Sequence, residues 1–267
     1  MSVIQAIVLG FVQGLTEFLP VSSSGHLILV PHFFGWPDQG LSFDAMIHLG
    51  TAFAAIWFFR ADIKQLVTGI VSAGGQSEAA KNSFRWAILA SMVPAIIIGL
   101  FLKDFIESST RGTVFVAVNL IIWSFVLLAA DWLASRPRKT DVRPTILQAF
   151  IIGIAQACAL LPGTSRSGAT IATGIFCGLD RASAVRFSFV AGIPIILAVG
   201  AVSSVDLVRE VLAGKLNLIP LLAGFVASFA GGILAIRVLL AVLNKHGLSA
   251  FALYRVVLAL IVLAVLR

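Results

Sequence analysis

Charge is what this sequence has least of. Of its 267 residues only 12% are charged, 59% are hydrophobic, and the mean hydropathy is +1.04. A soluble domain carries about 25% charged residues, so this chain cannot clothe a water-facing surface. Several apolar runs approach the roughly 20 residues that cross a bilayer, and the chain reads as an all-α polytopic membrane protein. Cysteine is nearly absent: Cys158 and Cys177 are the only two, both in apolar context. That excludes a disulfide framework and a zinc site and leaves them as small buried hydrophobes. A concentrated basic patch is also missing. The net charge of +7 is scattered over short loops, which fits cytoplasmic anchoring and excludes nucleic acid as a partner. No basic segment or small-residue cleavage site follows Met1, so the N-terminus is read as mature structure.

What is present is a series of apolar segments of unequal length. Six are long enough to span: 43–59, 86–102, 113–133, 185–205, 217–240 and 249–266. Pro94 and Pro194 are expected to bend the second and fourth. Two further regions are apolar but interrupted. Residues 1–42 break at Pro20 and a serine cluster, and residues 145–182 break at Pro162-Gly163. The loops at 60–85 and 134–144 are the basic ones and are placed in the cytoplasm, whereas the loop at 103–111 has no net charge and is placed outside. Alternation then makes 1–42 enter from the outside and return, and 145–182 enter from the cytoplasm and return. The expected architecture is one membrane domain with six transmembrane helices and two re-entrant helical hairpins, both termini outside.

The two interrupted regions resemble each other. Gln5 to Gln13 parallels Gln148 to Gln156. Leu19-Pro20 precedes Ser22-Ser23-Ser24-Gly25, as Leu161-Pro162 precedes Thr164-Ser165-Arg166-Ser167-Gly168. An odd number of spans separates them, so repeats over about 1–133 and 145–267 are inverted. Inverted repeats with broken helices bring the breaks together near the membrane midplane. Non-helical backbone cannot face lipid, so each break must be buried in protein or line a polar cavity, the two sharing one cavity, and N–H groups at such breaks favour anions.

The side chains at the breaks carry chemistry. Gln13 and Glu17, four apart, share one helix face. An ionisable group inside a membrane segment points to function, and its structural alternative is a carboxylate paired with a basic side chain. His26 follows Ser22, Ser23 and Ser24; it could attack phosphorus or take a proton from a serine. One or two of the serines serve as helix caps. Arg166, between Ser165 and Ser167, offers a planar fork suited to phosphate oxygens, and Thr170 lies one turn further. These residues read as a phosphate cradle able to offset charge in phosphoryl transfer. The Glu17 carboxylate could act as general acid or base, or hold a divalent cation on the phosphates. Asp44 and His48 either line the cavity mouth or cap a helix end. His32 and His246 have no polar constellation and are read as structural.

With these motifs in view, the chain resembles the integral-membrane undecaprenyl-pyrophosphate phosphatases of bacteria, the bacitracin-resistance type. The (E/Q)-x-x-x-E pattern is Gln13 to Glu17, S-S-x-G-H is Ser22 to His26, and P-G-x-S-R-S-x-x-T is Pro162 to Thr170. The resemblance implies hydrolysis of undecaprenyl pyrophosphate to the monophosphate, recycling the carrier for cell-wall synthesis. It implies a divalent cation (Mg2+ or Ca2+) and a site facing the outer side of the bacterial inner membrane. Carried over, Glu17, Ser23, His26 and Arg166 are catalytic. Gln13, Ser22, Ser24, Ser165, Ser167 and Thr170 bind substrate, and Glu17 is the metal ligand. Gln13 stands where the family has Glu or Gln, and an amide is a weaker ligand and no base. The nucleophile is Ser23, assisted by His26 or Glu17, or His26 itself. Partners are the polyprenyl pyrophosphate, membrane lipids and, as a homodimer, a second copy. Ser24-Gly25-His26 also echoes the acid phosphatase superfamily, but position 172 is Ala where that superfamily needs His. The competing reading is a transporter or flippase for an anionic polyprenyl lipid, because inverted repeats support alternating access.

Overall fold

A computed structural model describes residues 1–68, 78–110, 112–136, 143–212 and 217–265. All secondary structure among them is helical. In order the helices are α1 (Val3–Phe18), α2 (Ser23–Phe34), α3 (Leu41–Phe58), α4 (Arg60–Thr68), α5 (Glu78–Ser109), α6 (Thr113–Ala134), α7 (Ile146–Cys158), α8 (Arg166–Phe176), α9 (Arg181–Leu212), α10 (Leu218–His246) and α11 (Ser249–Val265).

Five segments are long and apolar enough to cross a membrane: Leu41–Phe58, Ser83–Leu102, Thr113–Ala134, Arg181–Ala198 and Leu218–Leu243. The sixth expected span is α11, an apolar helix of 17 residues. Their outward faces carry large exposed hydrophobics such as Leu100, Phe101 and Phe125, as a lipid-facing surface requires.

Several boundaries differ from the sequence-based expectation. The segment at 103–111 is not a loop over most of its length, because α5 continues to Ser109. The polar stretch after Arg60 opens with α4. α9 and α10 outrun the expected spans to Leu212 and His246. For α4, α5 and α9 a charged residue ends an apolar run without ending a helix, since Lys, Arg and Glu have good helix propensity. Neither Pro94 nor Pro194 ends its helix. Cys158 is exposed and Cys177 half-exposed, contrary to the expectation of burial; a thiol on an outward face of an apolar helix costs little. His32 is exposed, and the side chain of His246 lies outside the described residues.

α1 packs along α10, and α7 packs along α5. Both contacts depend on a glycine that lets backbones touch, as small residues do between membrane helices. A Cβ on Gly10 would come within 2.9 Å of the Gly224 Cα, and a Cβ on Gly153 within 2.9 Å of the Ser91 Cα. α1 and α7 also start alike. Ser2 with Gln5, and Thr145 with Gln148, each form a reciprocal capping box that satisfies first-turn N–H groups. α3 lies between α10 and α9, and α6 pairs with α11. The short helix α8 is buried along nearly its whole length against α6, α7 and α9.

Candidate active site

Both short-helix pairs resume after the same local device, a strained serine cap. Leu19 is extended (φ −67°, ψ 141°) and ends α1, because a residue before proline is pushed out of the helical region. Ser22 then takes φ 74°, and its Oγ accepts from Gly25 N–H at 3.3 Å, so that α2 begins at Ser23. In the other pair Ser165 takes φ 75°, and its Oγ accepts from Gly168 N–H at 3.1 Å, so that α8 begins at Arg166. These two serines are the only non-glycine residues with positive φ among the described residues. Such a conformation costs on the order of 1–3 kcal/mol and persists only where neighbours enforce it. The serine cluster is therefore a cap plus the first turn of α2, which starts four residues earlier than its apolar run.

The consequence is that Ser23 and Arg166 hold the same place, each the first residue after a strained serine cap. They converge on one carboxylate. Ser23 Oγ donates to Glu17 Oε2 at 2.7 Å, and Arg166 Nη2 donates to Glu17 Oε1 at 2.8 Å. Gln13 Nε2 donates to Glu17 Oε2 at 3.1 Å from one turn back on α1. His48 on α3 brings Nε2 to 3.7 Å of the same oxygen, while its Nδ1–H donates to Asp44 O at 2.7 Å. Glu17 is 6% exposed and Arg166 13%. Two polar atoms here are buried without a partner: Arg166 Nε and Gln13 Oε1. One is a donor suited to an anion and the other an acceptor suited to a cation.

The remaining hydroxyls stiffen the walls. Thr170 Oγ1 donates to Arg166 O at 2.8 Å and pairs with Ser188 Oγ at 2.6 Å; Arg166 Nη1 donates to Ser188 O at 3.2 Å. Ser167 Oγ donates to Leu19 O at 3.1 Å, linking the second break to the first, and lies 3.2 Å from Ser165 Oγ. Ser22 Oγ accepts from Gly163 N–H at 3.1 Å, a link in the opposite direction. Asn119 of α6 donates to Pro162 O at 2.9 Å and to Thr164 Oγ1 at 2.7 Å. His26 faces elsewhere: Nδ1–H donates to Ser22 O at 2.7 Å, and Nε2 accepts from the Tyr254 hydroxyl at 2.8 Å.

An open cleft of about 160 Å³ leads from the cluster. It is polar at Ser24, Asp44 and His48 and apolar along Leu27, Ile28, Ile106, Leu160 and Pro162. The cleft fits a ligand with a charged head and a hydrocarbon tail. Asp44 and His48 thus line its mouth, the first of the two roles weighed for them.

Of the residues singled out in the sequence, Gln13, Glu17, Ser23 and Arg166 meet directly, Ser24 opens on the cleft, and Ser22, Ser165, Ser167 and Thr170 hold backbone or one another. Asn119, Ser188, Tyr254 and Arg255 were not foreseen. Arg255 carried a legible signal, a cation inside an apolar run. Asn119 carried a weaker one of the same kind, while Ser188 and Tyr254 carried none.

The fold and site define a class: a helical multi-pass membrane protein with a buried guanidinium–carboxylate–hydroxyl site between two broken helices. Residues 6–261 match the family described as Bacitracin resistance protein BacA. An undecaprenyl-diphosphatase of Marinobacter nauticus is 42% identical over 267 residues, the full length of both chains. One of Idiomarina loihiensis is 40% identical over 98% of each chain, and one of Gemmatimonas aurantiaca 42% identical over 100% of this chain and 98% of its own. The chain belongs to the BacA family.

Proposed function

We propose that the protein hydrolyses undecaprenyl pyrophosphate to undecaprenyl phosphate and inorganic phosphate, and so supports bacitracin resistance and carrier recycling for the cell wall. The observation that carries this reading is the convergence of Ser23 and Arg166 on Glu17 across the two breaks. Arg166 binds the terminal phosphate with its fork, and its unpaired Nε supplies a further donor. Ser23 Oγ attacks the terminal phosphorus as Glu17 Oε2 takes its proton. The anhydride P–O bond breaks and undecaprenyl phosphate leaves with the bond's electron pair; water then cleaves the phosphoserine. Arg166 offsets charge developing on the transferred group. Ser23 is preferred to His26 as nucleophile because it alone contacts the carboxylate, and both His26 nitrogens are engaged inside the fold. Ser24 and the cleft receive the lipid.

A divalent cation, Mg2+ or Ca2+, fits this site in part. No group of three His, Cys, Asp or Glu side chains able to hold a metal ion occurs among the described residues. Glu17 and the unpaired Gln13 Oε1 would hold it together with substrate oxygens, the usual arrangement for Mg2+. Bound there, it would neutralise phosphate charge. Purified protein is expected to release phosphate from undecaprenyl pyrophosphate, to stop when EDTA is added, and to recover with Mg2+ or Ca2+. His32→Ala should match the parent. Retained lipid binding with no phosphate release would favour the transporter reading.

The finer architecture is part of the same proposal. α3, α5, α6, α9, α10 and α11 are the six spans, and α1–α2 and α7–α8 are re-entrant hairpins of two inverted repeats. The matching capping boxes, strained serine caps and glycine contacts support this. So does length: at about 1.5 Å per residue α2, α7 and α8 reach no more than about 20 Å. The loop charges support a Glu17 cluster that faces the outer side of the inner membrane. Cysteines at positions 75 and 139, outside the described residues, should be protected from an impermeant thiol reagent in intact cells, and one at 108 should react. The reverse pattern would turn the site to the cytoplasm.

A further inference from the structure

Arg255 on α11 is fully buried and is the largest side chain so placed among the described residues. A guanidinium inside a membrane protein is costly and is normally matched by a carboxylate. Here its partners are carbonyl oxygens. Nη1 donates to Pro20 O at 3.1 Å and Thr164 O at 3.0 Å, Nη2 to Gly163 O at 2.8 Å, and Nε to Leu120 O at 3.4 Å. Three of the four belong to the two breaks, just before the strained caps Ser22 and Ser165. Helix interruptions leave such carbonyls without intrahelical partners, and a charged planar fork can serve several at once. A trans peptide directs its C=O and the next N–H oppositely. Drawing Thr164 O to Arg255 therefore turns the Ser165 N–H away from it and sets the direction in which Arg166 starts α8.

The neighbouring residue reaches the other strand of the same construction. The Tyr254 hydroxyl donates to His26 Nε2 at 2.8 Å, and its ring stacks on the imidazole with centroids 5.8 Å apart and planes 6° from parallel. His26 Nδ1–H in turn holds Ser22 O, one residue before Ser23. With Nδ1 donating and Nε2 accepting, the neutral imidazole has no lone pair left for phosphorus.

We infer that Tyr254 and Arg255 are positioning residues for the reaction: from α11 they lock the two breaks in register, Arg255 directly and Tyr254 through His26, so that Ser23 and Arg166 meet at Glu17. The role rests on the hydrolase reading of the site, and it makes His26 a link in the brace and not the attacking group.

The test uses full-length protein in lipid nanodiscs, with phosphate release from undecaprenyl pyrophosphate and hydrogen exchange read in parallel. Arg255→Lys keeps the charge but serves fewer carbonyls. It should lower kcat about 100-fold, the scale of an ångström-size misplacement, with KM within about 3-fold. Exchange should accelerate at 20–25 and 162–168 but not along α10. Tyr254→Phe should lower kcat in the same sense, less steeply. His26→Asn keeps a donor for Ser22 O and should be about 10-fold more active than His26→Ala, the worth of roughly one hydrogen bond. A parental kcat in Arg255→Lys, a loss confined to KM, unchanged exchange at the breaks, or His26→Asn no better than His26→Ala would each overturn the inference. Should Arg255→Ala fail to fold, Arg255→Lys carries the test. If the parent releases no phosphate, the hydrolase reading falls, and exchange alone decides whether the brace exists.

Discussion

Arg166→Ala should abolish phosphate release, by about 1000-fold or more, since electrostatic stabilisation of a transferring phosphoryl group is commonly worth that much. The change also leaves Glu17, 6% exposed, as a buried carboxylate without its guanidinium partner. Breaking a buried pair by removing one partner costs about 3–5 kcal/mol, so thermal stability should fall with activity. Two further variants separate these effects. Arg166→Ala combined with Glu17→Gln removes both charges and should regain stability without regaining activity. Arg166→Lys keeps the charge but loses the fork that reaches Glu17 Oε1 and Ser188 O together, and should retain stability while remaining strongly impaired. Activity that returns along with stability in the double variant would show that Arg166 acts only as a structural partner of Glu17.

Glu17→Gln is the second large effect. The amide preserves shape and can still accept from Ser23 or Arg166, but it cannot take the serine proton. General-base catalysis contributes about 100- to 10,000-fold, and kcat should fall by that order with a smaller change in KM. Ser23→Ala should fall as far, and the double variant little further, because groups acting as one unit are not additive. With radiolabelled terminal phosphate, the parent should pass through a phosphorylated protein that Ser23→Ala does not form. Near-parental turnover in Ser23→Ala would exclude the hydroxyl as nucleophile and leave Glu17 activating water directly.

The chemistry was legible because it is concentrated. Glu17, Ser23 and Arg166 are conspicuous in a chain that is only 12% charged, and prolines and glycines mark the breaks around them. Helix bounds were less so. Charge ends a hydropathy window but not a helix, which is why α5 and α9 run on and why the residues at 103–109 are helical. His26 looked catalytic from its place in the serine cluster. Its ring direction depends on α11, 228 residues away in sequence, and no local pattern encodes that.

Composition alone determined that this is a membrane protein of apolar helices, because so few charged groups cannot solvate a surface. Local sequence determined where the helices break, since proline and a serine cap act within a turn. Only the tertiary structure decided that the two first-turn residues, Ser23 and Arg166, share one carboxylate, that His26 turns away from it, and that Arg255 holds both breaks from behind. Those are distances between segments 91 to 235 residues apart, set by glycine-mediated backbone contacts and by buried hydrogen bonds that must find partners wherever packing puts them.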